Sequence, residues 1–320
     1  MKVKHVRYFR LSWDCSDGLG YDPSQRIGAG DTIMNIQRIA AFSRGDEGGN
    51  PAGVVLLDAA AEDADMARIA AEVGYSETAF AIKGGDDGRD WRVRYFSPES
   101  EVPFCGHATI ALGAALGAEH GAGSYRLRLN DAAIAVDAEP TADGMAATLS
   151  SPATRSRPAD AAELDDALTL FGLSAADLDD RLPPARIHGG ADHVVLVLRD
   201  RAQLARTTYD LDEGRAIMRR HGLVTIMLVH IEDERVFSVR NAFASGGVLE
   251  DPATGAAAAA FAGYLRDRGW PHGGRFTIRQ GEDMGAPSVI EVSLSDAAGS
   301  SVRVSGRARM MGGDVGPPIA

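Results

Sequence analysis

Two stretches, "GHATIALGAALGA" (106–118) and "TGAAAAAFAGYL" (254–265), are built almost wholly from glycine, alanine and other apolar residues. A helix of that composition has no polar face to offer water, so other elements must surround it. Sliding the chain by 146 residues superposes "VRYFSPESEVPFCGHATIALGAAL" on "VRNAFASGGVLEDPATGAAAAAFA". Val93 and Arg94 then fall on Val239 and Arg240, Cys105 falls on Asp251, and the two apolar runs coincide. Each copy reads as strand, loop, small residues and buried helix. A duplicated unit of this kind predicts two like halves with a site between them.

The remaining pattern fits that frame. Strands are expected at Ile36–Phe42 and Val54–Leu57, separated by the Gly-rich loop "GDEGGNPAG" (45–53). Met66, Ile69, Ala70 and Val73 recur at helical spacing and Gly74 ends the run. "SETAFAI", "WRVRYF", "YRLRLN", "AAIAVDA" and "MAATLS" read as strands, mostly by alternation. In the second half, helices are expected at Ala161–Phe171 and Asp212–His221, and strands at His193–Leu198, Thr225–His230 and Arg235–Asn241. "SPATRSRPADAAE" (151–163) is the expected connection between the halves. The division is thus a disordered N-terminal extension at 1–33, domains at 34–152 and 153–309 with the last strand free to return to the first, and a tail at 310–320.

Net charge and cysteine content exclude several classes. The chain has 33 Lys and Arg against 45 Asp and Glu, a net charge of -12 that repels nucleic acid and anionic membrane surfaces. No run approaches the length of a membrane span. Two cysteines, Cys15 in the extension and Cys105, support neither a disulfide framework nor a cysteine-based zinc site, and they fit a reducing cytoplasm. No H-E-x-x-H metal motif and no G-x-S-x-G elbow occurs. No metal is therefore expected.

A helix N-terminus leaves backbone N–H groups unpaired and carries about half a positive charge, which suits a carboxylate. Two such ends facing each other could hold a small acidic substrate. "GHAT" and "PATG" supply glycines for close approach, with Thr109 and Thr254 as caps or hydroxyl donors. Glu77, His107, Asp251 and Cys105 are the groups able to move protons. Glu77 reads either as an exposed carboxylate at a strand start or, between apolar elements, as a general acid/base. His107 reads as a loop histidine or a catalytic one. Asp251, before Pro252, reads equally as the cap of the Ala-rich helix.

The stretches "GNPAGVV" (49–55), "SETAF" (76–80), "RVRYFSPESEVPFCGHAT" (92–109), "EDPATGAAA" (250–258) and "QGEDMGAPS" (280–288) together resemble the phenazine-biosynthesis isomerase-like (PhzF-like) family. That resemblance implies an α/β (α+β) chain of the diaminopimelate epimerase-like fold, with two pseudo-symmetric domains, each a curved mixed sheet around a central helix. It implies a cofactor-independent isomerase acting by acid/base proton transfer on a small carboxylate-bearing metabolite, in a homodimer. It carries the catalytic roles onto Glu77 as proton shuttle and onto His107 and Asp251. Substrate contacts fall on Asn50, Ser76, Cys105, Gly106, Ala108, Thr109, Thr254, Gly255 and Ala256.

Two positions depart from the family pattern: Ala256 stands where Ser is usual after "PATG", and Ala286 where Arg is usual. Two-thiol racemases of this fold use one cysteine on each opposed helix end. Cys105 matches the first, but the partner region holds Asp251 and Pro252, so Cys105 reads as a small loop residue rather than half of a pair. A one-thiol epimerase using Cys105 with Asp251 or Glu77, and a binding protein without chemistry, are the alternatives.

Overall fold

In the computed structural model, which describes residues 25–29 and 32–312 apart from 86 and 131, the two halves share one order of elements. The first half holds strands β1 (Gln25–Ala29), β2 (Thr32–Ala41) and β3 (Asn50–Leu57), helix α1 (Asp63–Val73), strands β4 (Thr78–Lys83), β5 (Asp90–Phe96) and β6 (Glu101–Val102), helix α2 (Gly106–His120), and strands β7 (Gly123–Arg128), β8 (Ala133–Thr141) and β9 (Gly144–Ser150). The second holds β10 (Arg155–Pro158), α3 (Ala161–Phe171), β11 (Ala185–His188), β12 (Asp192–Leu198), α4 (Arg201–Arg206), α5 (Leu211–His221), β13 (Thr225–Asp233), β14 (Val236–Ala242), β15 (Glu250–Asp251), α6 (Gly255–Asp267), β16 (Arg275–Gln280), β17 (Ser288–Ser293) and β18 (Arg303–Met310).

Strand pairing repeats between the halves. β2 runs antiparallel to β3, β3 parallel to β4, β4 antiparallel to β5, and β5 pairs antiparallel with β6 and parallel with β7. β11 to β16 reproduce this sequence of directions, with β15 in the place of β6. A parallel join needs a crossover: α1 links β3 to β4 and α2 links β5 to β7, while α4 with α5, and then α6, do the same in the second half. β18 pairs with β17, β9 and β2, so it ties the second half to the first and closes a ring of strands around α2. This is the mixed α/β architecture with sheet-wrapped central helices that the sequence predicts.

Small residues make the wrapping feasible. α2 buries every residue from His107 to Gly117. A Cβ on Gly113 would stand 2.6 Å from Val136 Cγ2 and 2.9 Å from Ala147 Cβ, so only glycine lets the helix lie this close to β8 and β9. α6 is buried at Gly255 and from Ala257 to Leu265 and joins the same core. On the outside, α1 turns Met66, Ile69, Ala70 and Val73 inward, and Gly74 ends it at φ 71. α3 and α5 cover a separate cluster that includes Phe171, Leu196, Met218 and Leu228.

The 146-residue register holds only as far as the strands. Tyr95 and Phe96 pair with Val102 and Glu101, and Asn241 and Ala242 pair with Asp251 and Glu250. The turn after β14 is three residues longer than the one after β5, which shifts the second register to 149. Gly106 and Gly255 thus begin the central helices, and Cys105 and Thr254 are equivalent N-caps. The expected superposition of Cys105 on Asp251 is corrected: Asp251 corresponds to Val102. One ion pair recurs across the two registers, Arg94 to Glu101 at 2.6 Å and Arg240 to Glu250 at 2.6 Å, its arginines 146 residues apart and its glutamates 149.

Three local expectations also change. β3 begins at Asn50, inside the expected loop. The expected connection at 151–163 contains β10 and the cap of α3, where Glu163 N donates to Asp160 Oδ1 and Asp160 N to Glu163 Oε2. In the expected extension, β1 pairs antiparallel with β2; residues 1–24, with Cys15, lie outside the described residues, as do 313–320 of the expected tail.

Candidate active site

The central helices point their N-termini at each other. A methyl group on Gly106 would lie 4.0 Å from the Ala256 amide nitrogen, so the first residues of α2 and α6 stand one contact apart. Neither end has a side-chain cap. Unpaired N–H groups and the positive ends of both helix dipoles therefore face the same space. A cavity of about 20 Å³ opens there, lined by Phe104, Gly106, Leu149, Gly255, Ala256 and Val304 among others, with room for one water-sized group. Its walls are apolar at Ala256, where a serine hydroxyl would add a polar contact.

On the α2 side, Glu77 precedes β4, and its Oε2 lies 3.4 Å from the Cys105 Sγ and 3.5 Å from His107 Nε2. The thiol donates to that carboxylate. Cys105 Sγ is also 3.3 Å from His107 Nδ1, and Ser76 Oγ is 3.4 Å from His107 Nε2. Cys105 is no loop bystander, since it is the buried N-cap of α2 and lies against Glu77 and His107. Burial pushes its thiol well above its usual value, and the charges of Glu77 and Asp251 push the same way, so it stays protonated.

On the α6 side, Asp251 accepts 2.7 Å from Asn50 Nδ2 and 2.5 Å from the Thr254 hydroxyl. Burial is the largest influence on its carboxyl, opposed by His107 and by these two donors, and the result is a value pushed up to about 6. Asp251 therefore changes charge near neutrality. A carboxyl raised above its unfolded value contributes stability in full below about pH 4 and loses it as pH rises through 6. Asp251→Asn removes that dependence. Urea unfolding of wild type should lose up to about 3 kcal/mol relative to the variant between pH 4 and 7. A constant difference between the two proteins would contradict the raised value.

Several expected contact residues have their side chains engaged within the protein. Asn50 is 3% exposed and also donates to Ala253 O, so its amide holds Asp251 and the start of α6. Thr109 gives its hydroxyl hydrogen to Cys105 O at 2.7 Å and meets the Tyr95 hydroxyl at 2.6 Å. Ala108 is fully buried, and Thr254 is tied to Asp251. Ser76 is exposed, while Gly106, Gly255 and Ala256 line the cavity.

Sequence reasoning missed two supports. Gln280, 1% exposed, donates to Asp251 O at 2.7 Å and to Thr254 Oγ1 at 3.0 Å, and accepts from Thr254 N. It opens the "QGEDMGAPS" stretch, so the signal was present without a role. Phe42 holds a left-handed backbone at φ 61, a conformation that costs about 1–3 kcal/mol outside glycine. Its ring would be 3.5 Å from a Cβ on Gly255, beneath the first turn of α6. Nothing in the sequence marks that strain.

Comparison with known proteins decides the family. The phenazine biosynthesis-like protein family matches residues 39–312. The chain belongs to this PhzF-like family. It is 32% identical over 273 residues to an uncharacterized isomerase of Deinococcus radiodurans, covering 82% of this chain and 87% of that protein. A solved PhzF-family phenazine biosynthesis protein of Bacillus anthracis superposes with a TM-score of 0.75 at 22% identity, over 87% of this chain and 96% of that one. A probable proline racemase of Agrobacterium radiobacter shares the fold at TM-score 0.59 and 12% identity, over 88% and 93% of the two chains. The PhzF-like chain is thus an enzyme of an isomerase family on a racemase-type fold. Among its described residues no helix is long and apolar enough to cross a membrane.

Proposed function

We propose that this PhzF-like protein moves a proton within a small carboxylate-bearing metabolite, without a cofactor. The substrate carboxylate is held between the N-termini of α2 and α6, and Glu77 takes a proton from one carbon and returns it to another. The observation that carries this reading is the position of the Glu77 carboxylate, within 3.5 Å of His107 Nε2 and 3.4 Å of Cys105 Sγ beside the start of α2. The substrate builds negative charge once the proton leaves, and fixed dipoles aimed at that charge stabilise it without reorganising. His107 lies beside Glu77 and acts electrostatically on Asp251, so the three groups set one another's charge. Asp251, changing charge near neutrality, polarises the end of the substrate opposite Glu77. We take the protein as cytoplasmic on its cysteine content and as a homodimer on the family expectation.

A thiol held protonated is a poor base, which favours Glu77 over Cys105 as the group that removes the proton. The test is exchange in heavy water. The enzyme is incubated with a panel of small unsaturated carboxylates, and mass spectrometry follows deuterium entering carbon. Enzyme-dependent uptake into at least one member is expected. No uptake together with measurable binding would favour a protein that keeps the cleft without the chemistry.

A further inference from the structure

Four polar side chains gather on the sheet face turned away from the α2 start, and proton transfer uses none of them. Ile36 and Ile39 mark the two faces of β2: Ile36 packs in the cluster beneath α1, Ile39 in the core around α2. Alternation puts Arg38 and Ala40 on the Ile36 face. Arg309 of β18 pairs with Ala40, so the two arginines are diagonal neighbours on that face, within reach of each other's long side chains. Tyr75, between α1 and β4, belongs to the cluster beneath α1. Thr78 shares its face of β4 with Phe80 of that cluster, whereas Glu77 just before it turns to the start of α2. Only a bare glycine, Gly53, separates Arg38 from Thr78 across the strands.

These groups lack partners. Tyr75 is 8% exposed and Thr78 0%, yet neither hydroxyl has a hydrogen-bond partner, and Arg309 Nε is buried and unpartnered as well. Arg309 Nη2 donates to Gly48 O at 3.3 Å, and among the described residues neither arginine meets a carboxylate. Both positive charges bear on the phenol: burial pushes Tyr75 up, and Arg38 and Arg309 oppose that rise. Like charges side by side on one sheet face repel, and a buried donor left unpaired is costly. A guest with several acceptor oxygens and two negative charges removes both penalties. From this arrangement we infer that Arg38, Arg309, Tyr75 and Thr78 form a binding site for a phosphate-type dianion, separate from the cleft that holds the substrate carboxylate. Guanidinium forks match pairs of phosphate oxygens, and the phenol and threonine hydroxyls supply two further O–H donors. The two guanidinium charges balance the dianion. Arg38 and Arg309 are partly exposed, so their ends form the entrance. Inorganic phosphate and the phosphate end of a metabolite present the same oxygens to this set.

Calorimetry reads the site without any substrate. Full-length protein is titrated with inorganic phosphate at low ionic strength and slightly alkaline pH, and a single saturable site is expected. Arg38→Met and Arg309→Met should each weaken binding at least about tenfold, and Tyr75→Phe, which removes one oxygen, about tenfold. Circular dichroism shows that each variant is folded. Methyl phosphate separates the two sources: binding as tight as that of inorganic phosphate assigns the site to phosphate monoesters, and weaker binding assigns it to the free ion. Absence of saturable binding of either in folded wild type would overturn the site. So would binding that survives in the Arg38→Met/Arg309→Met double variant, as it would for an ion held at the helix ends instead. The proton-transfer reading stands or falls apart from this one: phosphate binding is measured without substrate, and heavy-water exchange without phosphate.

Discussion

Glu77→Gln should reduce heavy-water exchange by at least about a thousandfold while leaving the fold intact. General acid/base groups contribute about 10²–10⁴ in rate, and a single shuttle that both removes and returns the proton lies toward the upper end. The amide keeps the shape of the carboxylate but cannot accept a proton at the pH of the assay. Cys105→Ala separates the two acid/base assignments. If Glu77 moves the proton, the alanine variant retains exchange within about tenfold, the loss coming from the contacts that Sγ makes with Glu77 and His107. Equal losses in both variants would shift the chemistry to the thiol, and full exchange in Glu77→Gln would remove Glu77 from the mechanism.

The largest effect on stability is expected at Arg240. Its guanidinium donates to Glu250 Oε2 at 3.0 Å from Nε and 2.6 Å from Nη2, and to Thr207 O at 2.7 Å. The side chains are 18% and 8% exposed. Arg240→Met leaves the Glu250 carboxylate buried without a counter-charge, and breaking a buried pair from one side costs about 3–5 kcal/mol. Arg94→Met, at the equivalent pair of the first half, should cost less, because Glu101 is 27% exposed and can be rehydrated. Urea unfolding of the two variants checks the order. A larger loss at Arg94 would mean that burial does not govern the pair. Since Glu250 is next to Asp251 on β15, the Arg240 variant should also slow exchange.

The architecture was readable because its defining residues are small. Nothing but close packing on all sides explains a run such as "TGAAAAAFAGYL", and two such runs imply two wrapped helices. The strands around them alternate, and α1 and α3 carry clear spacing or a capping box. The register of the repeat was less readable, because a turn longer by three residues left the strand copies in place and moved the helix copies. Arg94 with Glu101 and Arg240 with Glu250 would have revealed it, had the two pairs been sought rather than a single offset. Glu77, His107 and Asp251 stood out by residue type within quoted motifs. Asn50, Gln280 and Phe42 act through long-range contacts with α6 and its approach, and no local pattern announces a hydrogen bond spanning 201 residues such as that from Asn50 to Asp251. Cys105 shows the same gap from the other side: its neighbour Glu77 is 28 residues away, so the sequence could pair the two only as an alternative and not as a contact.

A crystal structure with a bound carboxylate substrate or product tests the central claim most directly. The account predicts the ligand carboxylate at hydrogen-bond distance from backbone N–H groups at the starts of α2 and α6, and the carbon that exchanges its hydrogen within about 3.5 Å of the Glu77 carboxylate. A ligand seated away from the two helix ends, or with its exchanging carbon out of reach of Glu77, would contradict it.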